Sequence, residues 1–156
     1  MSTAYEVAAQ VLDPELRVVT IAELGILRAV DQDSSGAVRV TVTPTYSGCP
    51  AMDLIRADLR SALARGGYPD AEVVTVLRPA WSTDLISEAG KAKLAAAGIV
   101  PPPAVGSGPV PVRFSVRCPR CSSPDTEELS RFSSTACKAL WRCRACAEPF
   151  ERVKPL

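Results

Sequence analysis

The chain has 156 residues, 47% of them apolar, with a formal net charge of +1, which is enough for one domain with a core or a modest domain plus a small module. No apolar run approaches the roughly eighteen residues of a membrane span, and no basic segment precedes an apolar stretch to mark a secretory or mitochondrial address, so a cytoplasmic protein without a membrane partner is expected. Histidine is absent, which removes Ser-His-Asp and Cys-His nucleophile pairs, His-held iron and the usual neutral-pH proton shuttle; with no Gly-rich phosphate loop either, independent catalysis is not expected.

In chain order, "TAYEVAAQVL" (residues 3–12) predicts a short helix that Asp13-Pro14 ends, because the residue before proline is kept out of the α region. "ILRAVD" and "AVRVTVT" alternate apolar and polar residues on either side of the turn-rich "QDSSG" and predict a hairpin. Pro50 suits the first position of a helix whose stripe is Met52, Ile55, Leu59, Ala62 and Leu63, with Asp53, Arg56, Arg60 and Arg65 away from it, ending at Gly66-Gly67. "EVVTVLRP" predicts a third strand. After Trp81, Ser82 or Thr83 caps a last helix with a face of Leu85, Ile86, Ala89 and Leu94, closed by Gly98. The order α-β-β-α-β-α predicts an α+β domain, a small three-stranded sheet with helices packed on it, over residues 1–97.

"AAGIVPPPAVGSGPVPVRF" holds five prolines and three glycines and reads as a semi-stiff linker over about residues 98–112. Residues 1–97 carry nine Lys/Arg against twelve Asp/Glu, and residues 113–156 carry nine against five. The two parts therefore differ in sign, and each is expected to meet a different partner or the other part.

Five of the six cysteines fall in the last 40 residues. Cys118 and Cys121 in "CPRC" and Cys143 and Cys146 in "CRAC" form two knuckles with twenty-one residues between them. Each such turn aims two thiolates and several backbone N–H groups at one point, and two turns close a tetrahedral S4 site for Zn²⁺ or a rubredoxin-like iron. A segment of this size with few large apolar groups needs that metal for its folding energy, so residues 113–156 are expected to be a four-cysteine zinc ribbon whose metal is structural. Cys137 between the knuckles is either a small residue packed under the ribbon or an additional, transferable ligand; Lys138, Arg142 and Arg144 nearby would favour its thiolate. Trp141 is expected in the ribbon core.

Cys49 in "TVTPTYSGCPAMDLI" lies where a strand turns into a helix. With Pro50 as first helical residue it takes the N-cap, where free N–H groups and the positive end of the helix dipole stabilise a thiolate. The alternative is a small residue filling a strand-to-helix corner, and Asp53 one turn on opposes ionisation. Sequence alone leaves both open.

The combination "LDPEL…IAELGIL…VTPTYSGCPAMDLI…RPAWSTDLIS" resembles the iron-sulfur assembly domain found in SufT and in targeting factors of cytosolic iron-sulfur maturation. "CPRCSSPDTEELSRFSSTACKALWRCRACAEPFERVK" is similar to the tail of the PaaD family, encoded with the subunits of the phenylacetyl-CoA epoxidase complex. In the assembly family the acidic DPE turn lies near the loop cysteine, which implies a site of Cys49 with Asp13, Glu15 and Thr45, the carboxylates acting as oxygen ligands or as organisers of the loop. PaaD relatives carry one more cysteine after the EPF segment, where this chain reads Val153-Lys154-Pro155-Leu156.

The resemblance implies a helper in phenylacetate degradation, not an enzyme in its own right, that helps assemble an iron-sulfur or di-iron centre in a client. Expected partners are the oxygenase and reductase subunits of the epoxidase complex and the iron-sulfur assembly machinery, with iron or an iron-sulfur cluster held transiently. A structural docking subunit of that complex is the alternative, suited by any exposed aromatic among Trp81, Trp141, Phe132 and Phe150. A zinc-ribbon nucleic-acid binder is the third reading, disfavoured because Zn²⁺ with four thiolates offsets half of the second part's excess positive charge.

Overall fold

The structure is a computed structural model and describes residues 1–109 and 116–156. The expected end of the linker at 112 and the expected start of the ribbon at 113 lie outside the described residues. Two compact units are present, Met1–Trp81 with Leu85–Gly90, and Ser82–Asp84 with Lys91–Leu156.

In the first unit, α1 (Ala4–Ala9) is opened by a capping box in which Thr3 and Glu6 satisfy each other's backbone N–H. The helix is shorter than the apolar pattern predicts. Asp13 and Pro14 begin a closed loop instead, with an isolated antiparallel bridge from Leu12 to Thr20 and the Asp13 N–H donating to the Val19 carbonyl at 3.0 Å. Strands β1 (Leu27–Gln32) and β2 (Val38–Val42) form the expected antiparallel hairpin, with a register shift between Leu27 and Ala29.

Helix α2 (Ala51–Arg65) then carries the chain over to β3 (Glu72–Thr75), which pairs parallel to β2 and gives the order β1-β2-β3. Met52, Ile55, Leu59 and Leu63 of α2 are buried, as the stripe predicts, along with Val38, Val40 and Val42 of β2. Complete burial of a side chain such as Ile55 or Leu59 is worth roughly 2 kcal/mol. Trp81 closes this core, its Nε1–H donating to the Leu24 carbonyl at 2.8 Å.

The helix expected from Ser82 onward is two pieces. A 3-10 turn spans Thr83–Leu85, and α3 (Glu88–Ala96) begins only after Ser87, whose Oγ accepts the Gly90 N–H at 3.0 Å. This side-chain cap restarts the helix, so Leu85 and Ala89 of the expected face are exposed while Ile86 and Leu94 are buried. Gly25, at φ 72°, accommodates this turn: a Cβ there would lie 2.5 Å from the Leu85 Cβ.

In the second unit, β5 (Thr126–Ser130), β6 (Lys138–Cys143) and β7 (Pro149–Val153) form an antiparallel ribbon, and β4 (Ile99–Val100) joins β7 in parallel, giving the order β4-β7-β6-β5. The β-branched pair Ile99-Val100 thus forms sheet where composition marks linker, because two such residues ahead of the prolines suit an edge strand. The small core is Val116, Cys118, Ala139, Trp141, Cys143 and Phe150. Trp141 and Phe150 are buried, whereas Phe132 is 65% exposed.

Candidate functional site

Two constellations stand out, one in each unit. The first is the set of four ribbon sulfurs. The N-terminal knuckle is closed by Ser122 N–H to the Cys118 carbonyl at 2.9 Å and by Arg120 N–H to Cys118 Sγ at 3.4 Å. The C-terminal knuckle is closed by Cys143 N–H to the Glu148 carbonyl at 2.9 Å. In each, the residue after the second cysteine takes the left-handed conformation, Ser122 at φ 61° and Ala147 at φ 63°, so the two turns share one geometry.

The sulfurs of Cys118, Cys121, Cys143 and Cys146 all lie within 4.8 Å of one another. Cys118 and Cys146 are 3.7 Å apart, and Cys121 and Cys143 are 3.5 Å apart. Four sulfurs at about 2.3 Å from a tetrahedral Zn²⁺ would stand roughly 3.8 Å apart, so the set fits that ion. A disulfide requires about 2.05 Å, and all six cysteines are free thiols. The protons are unequally held. Although burial opposes it, N–H donors from Cys121 and Arg120 bring Cys118 down to about 7. The Glu148 N–H favours ionised Cys146, but burial and the three neighbouring thiols push it up to about 12. A cation that takes all four as thiolates must release these protons, which makes affinity rise with pH.

Cys137 does not join this set. It precedes β6, whose far end carries Cys143, and six residues of strand span roughly 20 Å; the four converging sulfurs are those of Cys118, Cys121, Cys143 and Cys146. Its sulfur lies 3.1 Å from Thr135 Oγ1. The cations expected to favour its thiolate are engaged with carboxylates. Lys138 Nζ donates to Glu151 Oε2 at 2.6 Å, and Arg142 and Arg144 both bind Glu127. Arg120 pairs with Glu148 at 2.7 Å, so much of the ribbon's formal positive charge is already neutralised locally.

The second constellation surrounds Cys49 in the first unit. Pro50 holds the N-cap position of α2 with its backbone already helical, at φ −68° and ψ −22°, so Cys49 stands one residue earlier than the sequence predicts. Gly48 at φ 80° makes the turn before it, and the Cys49 N–H donates to the Tyr46 carbonyl at 3.3 Å. The Met52 N–H reaches the Cys49 carbonyl at 3.3 Å. Cys49 is half-buried.

Burial is the largest influence on this thiol and raises its pKa above the ordinary 9.0; the Ala51 N–H and the Thr45 hydroxyl lower it, and the Glu15 and Asp13 carboxylates raise it again. The thiolate expected from the helix dipole is therefore not favoured, because desolvation and two carboxylates outweigh the helix end. Thr45 thus acts on the sulfur through a hydrogen bond, and Glu15 and Asp13 act through their charge. Asp13, only 5% exposed, spends its Oδ1 on the N–H groups of Glu15 at 2.9 Å and Leu16 at 2.6 Å. Its observed bonding is that of a loop organiser. Glu15 is the more open of the two carboxylates. A thiol that feels neighbouring carboxylates gives up its proton less readily.

The hydroxyl that turns toward Cys49, Thr45, carries no spacing signal of its own and is found in sequence only through the family pattern. Buried Lys138 was not legible as part of an ion pair, since Glu151 is thirteen residues away and meets it only through β6–β7 pairing.

Comparison with known proteins gives a family match in each part of the chain. Residues 104–154 match the family described as PaaD zinc beta ribbon domain, and residues 4–77 match the one described as iron-sulfur cluster assembly protein. An Escherichia coli protein provisionally named as a subunit of 1,2-phenylacetyl-CoA epoxidase is 43% identical over 150 residues, 96% of this chain and 90% of that protein. The Bacillus subtilis Fe-S protein maturation auxiliary factor YitW is 40% identical over 86 residues, 54% of this chain and 83% of that one. The crystal structure of a domain of unknown function, DUF59, from Bacillus anthracis superposes with a TM-score of 0.54 at 32% identity, covering 58% of this chain and 87% of that chain.

Proposed function

The chain belongs to the PaaD family, and from that premise we propose that it serves the phenylacetyl-CoA epoxidase system by assisting assembly of an iron-sulfur or di-iron centre in a client subunit. The accessory, maturation-type role follows from its relationship to the Escherichia coli epoxidase subunit and to Fe-S maturation factors. The ribbon holds a structural zinc through Cys118, Cys121, Cys143 and Cys146. In this reading Cys49 is the functional thiol, Glu15 its neighbouring carboxylate, Thr45 the hydroxyl that turns toward the sulfur and Asp13 the residue that fixes the loop. Iron is cargo here, met transiently. Oxygenase and reductase subunits are the partners in mind, with the iron-sulfur assembly machinery upstream, in the cytoplasm; among the described residues no helix is long and apolar enough to cross a membrane.

The reading is supported by the charges of Glu15 and Asp13 both acting on the thiol of half-buried Cys49. Its protonated resting state suits a site that gives up its proton only when a cation arrives, and a corner-filling cysteine has no need of acidic neighbours. The test is iron content and activity of the epoxidase subunits isolated from cells whose own copy is replaced by Cys49→Ala. A client depleted of its centre is expected. A fully loaded client alongside the variant would reject the thiol's role.

A docking role has one specific observation in its favour, the exposed Phe132 with Lys154 Nζ 4.6 Å from its ring centre. If epoxidase subunits co-purify equally with wild type and Cys49→Ala but are lost with Phe132→Ala, and the client keeps its metal throughout, docking is the function.

A further inference from the structure

The strand β4 is followed by Pro101, Pro102 and Pro103, which have no N–H to give, so the pairing of Ile99 and Val100 with β7 cannot be prolonged through them. Beyond the prolines the chain is held in another way. The two carboxylate oxygens of Asp84 accept the consecutive N–H groups of Val105 and Gly106, each at 2.7 Å. Gly106 is in the left-handed region at φ 61°, a conformation that turns successive amides toward one anion.

Asp84 is itself mounted on a fixed turn. Its N–H donates to Ser82 Oγ at 3.2 Å. Next to it Thr83, 1% exposed, donates its N–H to the Leu156 carbonyl at 3.0 Å and accepts the Leu156 N–H on its hydroxyl at 3.3 Å. The amides of Val105 and Gly106, with Lys91 nearby, hold the Asp84 carboxyl below the usual carboxylate range.

We propose that Asp84 is the clip of a strap: residues 101–106 are fastened to the second unit by the β4–β7 pairing at one end and by the Asp84 carboxylate at the other, and releasing the clip opens the strap. Pro101, Pro102 and Pro103, between the strap's two fastenings, form one wall of a cleft of about 430 Å³ whose other side includes Val116, Arg117 and Arg152. The clip therefore governs whether that face of the ribbon is covered. Charge-assisted bonds to two adjacent amides suit such a device, since both are made or lost together.

The test is hydrogen exchange of individual amides by NMR on the full-length, zinc-loaded protein, wild type beside Asp84→Asn and Asp84→Ala. Both variants are expected to speed exchange at Val105 and Gly106 on the order of tenfold or more, with zinc content and the amides of β6 and β7 unchanged. Exchange at those two amides that is already unprotected in the wild type, or equal in all three proteins, overturns the clip. Loss of protection throughout β6 and β7 in the variants overturns it too, because Asp84 would then hold the ribbon itself.

Discussion

Lys138 Nζ lies 2.6 Å from Glu151 Oε2 across the β6–β7 ladder, with only 5% of the lysine side chain exposed. Glu151 also accepts the hydroxyls of Ser133 and Ser134. Burial opposes its charge, but these three partners hold the carboxyl down at about 2. One carboxylate thus fastens the loop before β6 to β7.

Replacing Lys138 by Met leaves that carboxylate without its cation, and the expected cost is about 1–3 kcal/mol, below the full penalty for a broken buried pair because Glu151 is partly solvated. The urea midpoint of the zinc-loaded protein should fall without a change in slope. The sign with pH follows from the depressed value: Glu151's contribution is fully present above its ordinary 4.5 and is lost as pH falls toward about 2. Between pH 5 and 8 the Lys138→Met penalty should therefore be flat. A penalty that vanishes anywhere in that window would mean the pair is not what holds the loop.

The ribbon's S4 set leads to a second expectation. Structural zinc supplies about 10 kcal/mol or more of apparent folding energy in small domains, as much as a whole domain's usual stability. The small core around Trp141 is not expected to replace it. Purified protein should carry one zinc per chain; Cys143→Ser should lose it; and a strong chelator should abolish amide protection in β5, β6 and β7. Protection that survives complete removal of zinc would make the metal dispensable for the fold.

The raised pKa of Cys49 has a kinetic consequence. At pH 7 the thiol is protonated, so alkylation by iodoacetamide should be slow and should accelerate as pH climbs past 9. Glu15→Gln removes a charge that raises this pKa, so the variant's alkylation profile should move to lower pH and its rate at pH 8 should increase several-fold. Thr45→Val should do the reverse, because the hydroxyl favours the ionised sulfur. Identical profiles for wild type and Glu15→Gln would separate the carboxylate from the thiol.

Where local pattern and tertiary structure agree, the fold was legible. The α2 stripe of Met52, Ile55, Leu59 and Leu63 is buried as its spacing predicts, and two CxxC turns specify their own convergence. What escaped was decided by contacts distant in sequence or by single side-chain caps. Ser87 breaks the last helix by taking the Gly90 N–H, and Ile99-Val100 becomes a strand only because β7 offers an edge. The neighbourhood of Cys49 and Glu15 was reached through the family pattern, since nothing in either stretch alone points to the other. Sequence alone leaves the helix-end thiolate and the corner-filling residue both open, because burial, the largest influence on this thiol, is not visible in the spacing.

The knuckles supply the last prediction. Ser122 and Ala147 both sit at positive φ, 61° and 63°, in positions where a side chain carries a cost of roughly 1 kcal/mol or more that glycine escapes. Glycine also loses more backbone freedom on folding, which takes back about 0.5–1 kcal/mol. For Ser122 the exchange should be close to neutral. Ala147 has no side-chain polar group to lose, so Ala147→Gly should stabilise the zinc-loaded ribbon by up to about 1 kcal/mol. Ala147→Val should destabilise it by more than that, since a β-branched side chain fits the left-handed region poorly. The relevant readout is competition for zinc against a chelator of known affinity: tighter retention by the glycine variant and weaker by the valine variant are expected. The opposite order would mean that the two knuckles do not share the turn described here.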